Sequence, residues 1–110
     1  MKFRADITTC EDERDKILSV CQVGSDGEIE HEVIIQRGPK EFDIIDDDPG
    51  PKISCEYLGL DIAPGPKTIN FSEDAMTIVL DGPENIQVDL SPLSPEQRSE
   101  LEVVAKVIFK

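Results

Sequence analysis

The sequence predicts an α+β fold: an antiparallel sheet of about seven strands with one C-terminal helix packed on one face, in a single domain over residues 1–110. Three observations carry that prediction. Two apolar segments with a repeat of two residues, Ala75 to Leu80 and Ile86 to Leu90, flank the turn-forming run Asp81-Gly82-Pro83-Glu84-Asn85. A helix start follows, with Ser94 as N-cap, Pro95 at the first helical position and Gln97 placed to complete a capping box. Earlier in the chain, short alternating segments are separated by Gly, Pro and Asp clusters, as in a sheet built from neighbouring strands.

Taken in order, Lys2 to Thr8 is the first expected strand, with Phe3, Ala5 and Ile7 on one side, and the acids between Cys10 and Arg14 interrupt it. Ile17 to Val23 is rich in β-branched residues and stops at Gly24-Ser25-Asp26-Gly27, whose glycines suit a hairpin. Glu30 to Gln36 is the returning strand. Ile29, His31, Val33 and Ile35 share one face of it and Ile34 lies on the other. From Gly38 to Pro51 the pattern fails and a charged loop is expected. Ile53 to Leu58 alternates again, placing Ile53, Cys55 and Tyr57 together.

Gly59 to Pro66 holds two glycines and two prolines, which excludes a central strand and marks a rigid connection. Thr68 to Phe71 is a short strand that turns through Ser72-Glu73-Asp74 into the hairpin. There Met76, Ile78 and Leu80 face one way, as do Ile86, Val88 and Leu90. In the helix, Leu101, Val104, Ala105 and Ile108 make one apolar stripe that should cover a sheet face.

Composition narrows the function classes. With 38% hydrophobic residues the chain can bury a core, so global disorder is not expected despite its charge. The 24 acidic against 11 basic residues give a net charge of −13, which repels phosphate backbones and anionic lipid surfaces. No nucleic acid and no membrane partner is expected. A basic protein or a cation is what such a surface attracts, unless the acids serve only to keep the domain soluble. No stretch reaches the length of a transmembrane span, and the alternating N-terminus lacks the basic region and apolar run of a signal peptide. The chain is therefore expected to begin here and to reside in the cytoplasm. Cys10, Cys21 and Cys55 are odd in number, widely spaced and without a C-x-x-C pair, so neither a disulfide framework nor a zinc site is expected.

The strongest charge cluster is Glu41, Asp43, Asp46, Asp47 and Asp48, closed by Pro49-Gly50-Pro51. Counted from Asp46, the sixth position is Pro51 and the twelfth Tyr57, where an EF-hand needs Gly and a bidentate Glu, so that template fails. What remains is a solvated acidic loop or a partner-binding one. His31, the single histidine, lies within a strand with neither a serine elbow nor a cysteine partner evident, which favours a packed or rim residue over a catalytic one. Phosphate-loop, dinucleotide, nucleophile-elbow and zincin motifs are all missing. An enzyme built here would have to work with carboxylates alone, and the aspartates of the loop look solvated rather than held in a dry cleft that separates their pKa values. No catalytic residue, cofactor or metal is assigned.

The order of several short motifs resembles a family of bacterial immunity proteins from polymorphic toxin systems, the group known as immunity protein 10. The likeness runs through Ile35-Gln36-Arg37, Glu41-Phe42-Asp43 with Asp46 and Asp47, Ile53 to Glu56, Ile69 to Ser72, Met76-Thr77-Ile78, Ile86 to Leu90, and a last helix ending at Ile108-Phe109. The chain departs from the family at Ala63-Pro64-Gly65-Pro66, where a glycine- and aromatic-rich linker is expected, and in its short connection from Leu80 to Ile86. The resemblance implies a cytoplasmic protein that neutralises a cognate toxin by binding it. It places no functional residue.

The expected function is thus a non-enzymatic binding protein, an immunity protein whose toxin has a basic surface met in part by Glu41, Asp43, Asp46, Asp47 and Asp48. An acidic accessory or scaffold domain is the alternative, and a carboxylate-based enzyme the third reading. The sequence leaves the oligomeric state open.

Overall fold

The strand expected over Lys2 to Thr8 divides in the computed structural model, which describes residues 1–39 and 50–110. Its first part, β1 (Lys2–Arg4), belongs to one sheet, and its continuation, β2 (Ile7–Asp12), belongs to another. The change takes place between neighbouring residues: the Ala5 N–H donates to the Asp89 carbonyl at 2.8 Å, and the Asp6 N–H donates to the Cys21 carbonyl at 2.8 Å. Phe3 and Ala5 are buried while Ile7 is 52% exposed, so the two-residue alternation does not carry through. A strand that changes sheets also changes which of its sides meets the core.

The remaining elements are β3 (Lys16–Val23), β4 (Ile29–Arg37), β5 (Lys52–Cys55), β6 (Leu60–Ala63), β7 (Pro66–Phe71), β8 (Ala75–Leu80), β9 (Asn85–Asp89) and α1 (Pro95–Ile108). The described residues therefore hold nine strands in two sheets, ordered β1-β9-β8-β7 and β2-β3-β4-β5-β6, in place of one sheet of about seven. The antiparallel expectation holds for every pair except β1 with β9, which run parallel. The α+β class with one C-terminal helix is as expected.

Two short connections divide the strands between the sheets. One is the step at Ala5 and Asp6. The other is Pro64-Gly65 between β6 and β7, where Gly65 has φ 133°, a value that side chains disfavour, and its carbonyl accepts the Asp81 N–H at 2.7 Å. The Gly59 to Pro66 stretch is not purely a connection: β6 forms within it, but as the edge strand of its sheet, which respects the bar on a central position.

Side chains from both sheets and the helix join a single apolar cluster, and among the described residues no polar or charged side chain is buried. Met76, Ile78 and Leu80 alternate inward along β8, as do Ile86 and Val88 along β9, with Leu90 just beyond it. On the other sheet Leu18 and Val20 of β3, Val33 and Ile35 of β4, and Ile53 and Cys55 of β5 face the same core.

The helix begins as its sequence dictates. Ser94 Oγ accepts the Gln97 N–H at 3.2 Å and Gln97 Oε1 accepts the Ser94 N–H at 2.9 Å, so two donors that the first turn leaves unpaired are satisfied reciprocally. All four stripe residues, Leu101, Val104, Ala105 and Ile108, are buried, and the helix lies against β2 and β3. Arg98 ties its start to the β7–β8 turn, donating to the Glu73 carbonyl at 3.2 Å and to Asp74 Oδ1 at 2.8 Å. Arg37 at the end of β4 donates to the Ile108 carbonyl at 3.3 Å and so holds its last turn. Among the described residues no helix is long and apolar enough to cross a membrane.

Candidate functional site

Residues 40–49, and with them the predicted partner-binding acids Glu41, Asp43, Asp46, Asp47 and Asp48, lie outside the described residues. The segment leaves after β4 at Pro39 and returns at Gly50 ahead of β5. A second acidic feature lies at the opposite end of β4, and no sequence motif marks it.

It arises from a mismatch in strand length. β4 is nine residues long and pairs along β3 from Ile29 to Arg37, but its ladder with β5 covers only Ile34 to Gln36. β5 stops at Cys55 because the next residues, Glu56–Leu58, wind into a 3₁₀ turn that Gly59 closes at φ 71°, a left-handed conformation open to glycine. The chain then re-enters the sheet as β6, with a register slip between Ile53 and Cys55. Among the described residues, Ile29, His31 and Glu32 pair on the β3 side alone, the register slipping past Glu30, and they face a groove of about 640 Å³ between β4, the 3₁₀ turn and the start of β6.

The groove has an apolar inner side and an acidic rim. Ile29, Ile34, Tyr57 and Leu60 contribute apolar surface, and Glu30, Glu32, Glu56 and Asp61 contribute four carboxylates; among the described residues neither Lys nor Arg lines it. Ile29 is 58% and Tyr57 69% exposed, large values for residues of that size. The sequence reading set Tyr57 beside Ile53 and Cys55 on one strand face. The structure corrects this, because the strand ends at Cys55 and the 3₁₀ turn swings Tyr57 outward.

His31 sits at the inner side of the groove between two rings. Its centroid lies 5.5 Å from that of Tyr57 in an edge-on arrangement and 5.8 Å from that of Phe3 in a tilted one. Its Nδ1 is buried without a hydrogen-bond partner in the structure. The histidine is thus a packed rim residue that fixes Tyr57 against the sheet.

The thiols are free and poorly suited to nucleophilic work. Burial and the nearby Glu100 carboxylate push Cys10 up to about 11, and burial likewise raises Cys21, so both remain protonated at neutral pH. Cys55 is buried, with Sγ 3.6 Å from Met1 Sδ. Among the described residues no group of three or more His, Cys, Asp and Glu side chains is placed to hold a metal ion.

The signal that could have found the groove is faint: Ile29-Glu30-His31-Glu32 alternates apolar and acidic residues directly after the hairpin, where a β4 longer than its neighbour leaves an edge. Among known proteins, no family, no curated protein and no solved structure matches the chain.

Proposed function

We propose that this chain is a non-catalytic binding protein that captures a basic protein partner, and that the partner is a cognate toxin neutralised by the contact in the cytoplasm, as the resemblance to immunity proteins implies. The observation that carries the reading is the groove beside β4. It combines exposed apolar surface with four carboxylates, and no cation among the described residues lines it to balance them. Apolar surface supplies affinity on burial, and an uncompensated acidic rim selects a cationic counterpart and speeds its approach. Acids kept only for solubility need no neighbouring Ile29 and Tyr57 left open to water. A chain of net charge −13 also repels nucleic acid, which favours a protein that blocks a basic nucleic-acid-acting toxin over one that binds the nucleic acid itself.

The test is co-expression with the toxin encoded immediately beside this chain's gene, scored by cell survival, together with calorimetry on the purified pair. The native chain should protect and bind. Glu30→Lys with Glu32→Lys should bind at least about tenfold more weakly, since like charges then meet across the interface. Full protection and unchanged affinity in that variant would remove the groove from the interface. Absence of binding by the native chain would remove the toxin reading.

A further inference from the structure

We propose that the groove receives its partner as an extended basic segment, added as a further strand along the free edge of β4. This rests on the reading of the groove as a site for a basic partner and specifies how that partner is held.

Three features point to a strand. First, Ile29, His31 and Glu32 pair with β3, the register slipping past Glu30, yet among the described residues the other edge of 29–32 faces the groove with no ladder partner. Alternate N–H and C=O groups along such an edge form a template for another chain. Second, β5 stops at Cys55, and the groove lies between β4 and the 3₁₀ turn and β6 that follow, on the side where the next strand would run. Third, past the register slip the side chains of β4 alternate in character: Glu32 is exposed on the outer side and His31 lies on the inner side with Tyr57 beyond, while the exposed Glu30 lines the same groove. A strand laid alongside repeats that alternation, with every second side chain beside a carboxylate and the ones between beside the apolar surface.

The occupant is therefore a segment in which Lys or Arg alternates with apolar residues. A second copy of this chain is disfavoured, because pairing β4 with β4 would set Glu30 and Glu32 against their own kind across a protein of net charge −13. The same acids explain how a lone chain keeps this edge from self-association.

The test is a titration of the ¹⁵N-labelled protein with a seven-residue peptide of alternating Lys and Val, capped at both ends. Two controls are used: the same peptide N-methylated at alternate amides along one edge, and an isomer with its lysines and valines in separate blocks. Amide shifts should concentrate at residues 29–32 and Tyr57, exchange of the β4 edge amides should slow, and both controls should bind about tenfold or more weakly. If the N-methylated peptide shifts the same amides with equal affinity while Glu30→Gln with Glu32→Gln abolishes binding, strand addition falls and the basic-partner reading stands. If no peptide shifts the groove, even at low salt, both fall.

Discussion

Arg4 and Asp6 meet at 2.9 Å where the chain passes from one sheet to the other, and between them they hold both polar groups of one backbone residue. Asp6 Oδ2 accepts the Val23 N–H at 2.8 Å, and the Arg4 guanidinium donates to the Val23 carbonyl at 2.9 Å. The Gln22 side chain closes the group by accepting the Arg4 N–H at 3.0 Å. Val23 lies where the β3–β4 register slips, so the pair satisfies backbone that the irregular ladder serves poorly.

The Val23 N–H and then the Arg4 guanidinium hold the Asp6 carboxyl below its ordinary value. A carboxylate with a depressed folded value contributes stability that is present above its unfolded value, near 4, and is lost as pH falls through the folded one. The difference in melting temperature between the native chain and Asp6→Asn should accordingly be largest near neutrality and shrink below about pH 4. Comparing the two proteins at each pH cancels the repulsion among the remaining acids. A difference constant from pH 7 to 2.5 would show that the carboxylate charge at this crossing does not matter.

The helix supplies the sharpest stability prediction. Leu101 is fully buried, and Leu101→Ala should destabilise by about 2 to 5 kcal/mol. Ser94→Ala removes one arm of the capping box and should cost about 1 kcal/mol. Val103 is 57% exposed on the opposite face, and Val103→Ala should stay within about 0.5 kcal/mol. Urea melts of the three variants would rank them, and a Leu101 effect no larger than that of Val103 would deny the helix its place in the core.

What could be read from the residues follows from where the physics is local. The capping box at Ser94, the stripe from Leu101 to Ile108 and the alternation of β8 and β9 depend on contacts within a few positions, and all three formed as the sequence suggested. The division into two sheets does not. At Ala5 and Asp6 nothing in Phe3-Arg4-Ala5-Asp6-Ile7 marks the change, because the alternation of a strand is the same whichever sheet it joins, and the decisive partners, Asp89 and Cys21, lie far along the chain. Tyr57 shows a second limit: its periodicity set it with Ile53 and Cys55, and the 3₁₀ turn overrode periodicity. The groove is invisible for a similar reason, since a free edge is defined by a strand that is not there.

Ile62 has φ 47°, a left-handed conformation that costs a β-branched residue roughly 1 to 2 kcal/mol, and its side chain is 57% exposed. Little burial offsets that strain. The bulge is held by its N–H, which donates to Ser54 Oγ at 2.9 Å. Ile62→Asn, which tolerates this conformation, should therefore raise stability by about 1 kcal/mol, and Ser54→Ala should lower it by a similar amount. Ile62 adjoins Leu60 and Asp61 at the groove, so the asparagine variant also tests whether strain is retained there for binding. Higher stability with weaker partner affinity would show that it is. An unchanged melting temperature would mean that the backbone relaxes around this residue.

The last prediction separates the two acidic features. The segment carrying Asp46, Asp47 and Asp48 joins β4 at its Arg37 end, and the groove lies at its Ile29 end, about 26 Å away for a strand of this length. Three consecutive aspartates repel one another, so the work proposed for them is to draw a basic partner in. Replacing all three with Asn should leave stability within about 0.5 kcal/mol, lower the association rate and reduce its dependence on salt, with little change in dissociation. Glu30→Gln with Glu32→Gln, at the proposed contact, should act chiefly by speeding dissociation. The combined variant should show the two effects multiplied if steering and contact act independently. Stopped-flow association against the proposed toxin partner at several salt concentrations measures both rates, and an unchanged association rate in the triple Asn variant at low salt would take Asp46, Asp47 and Asp48 out of the encounter.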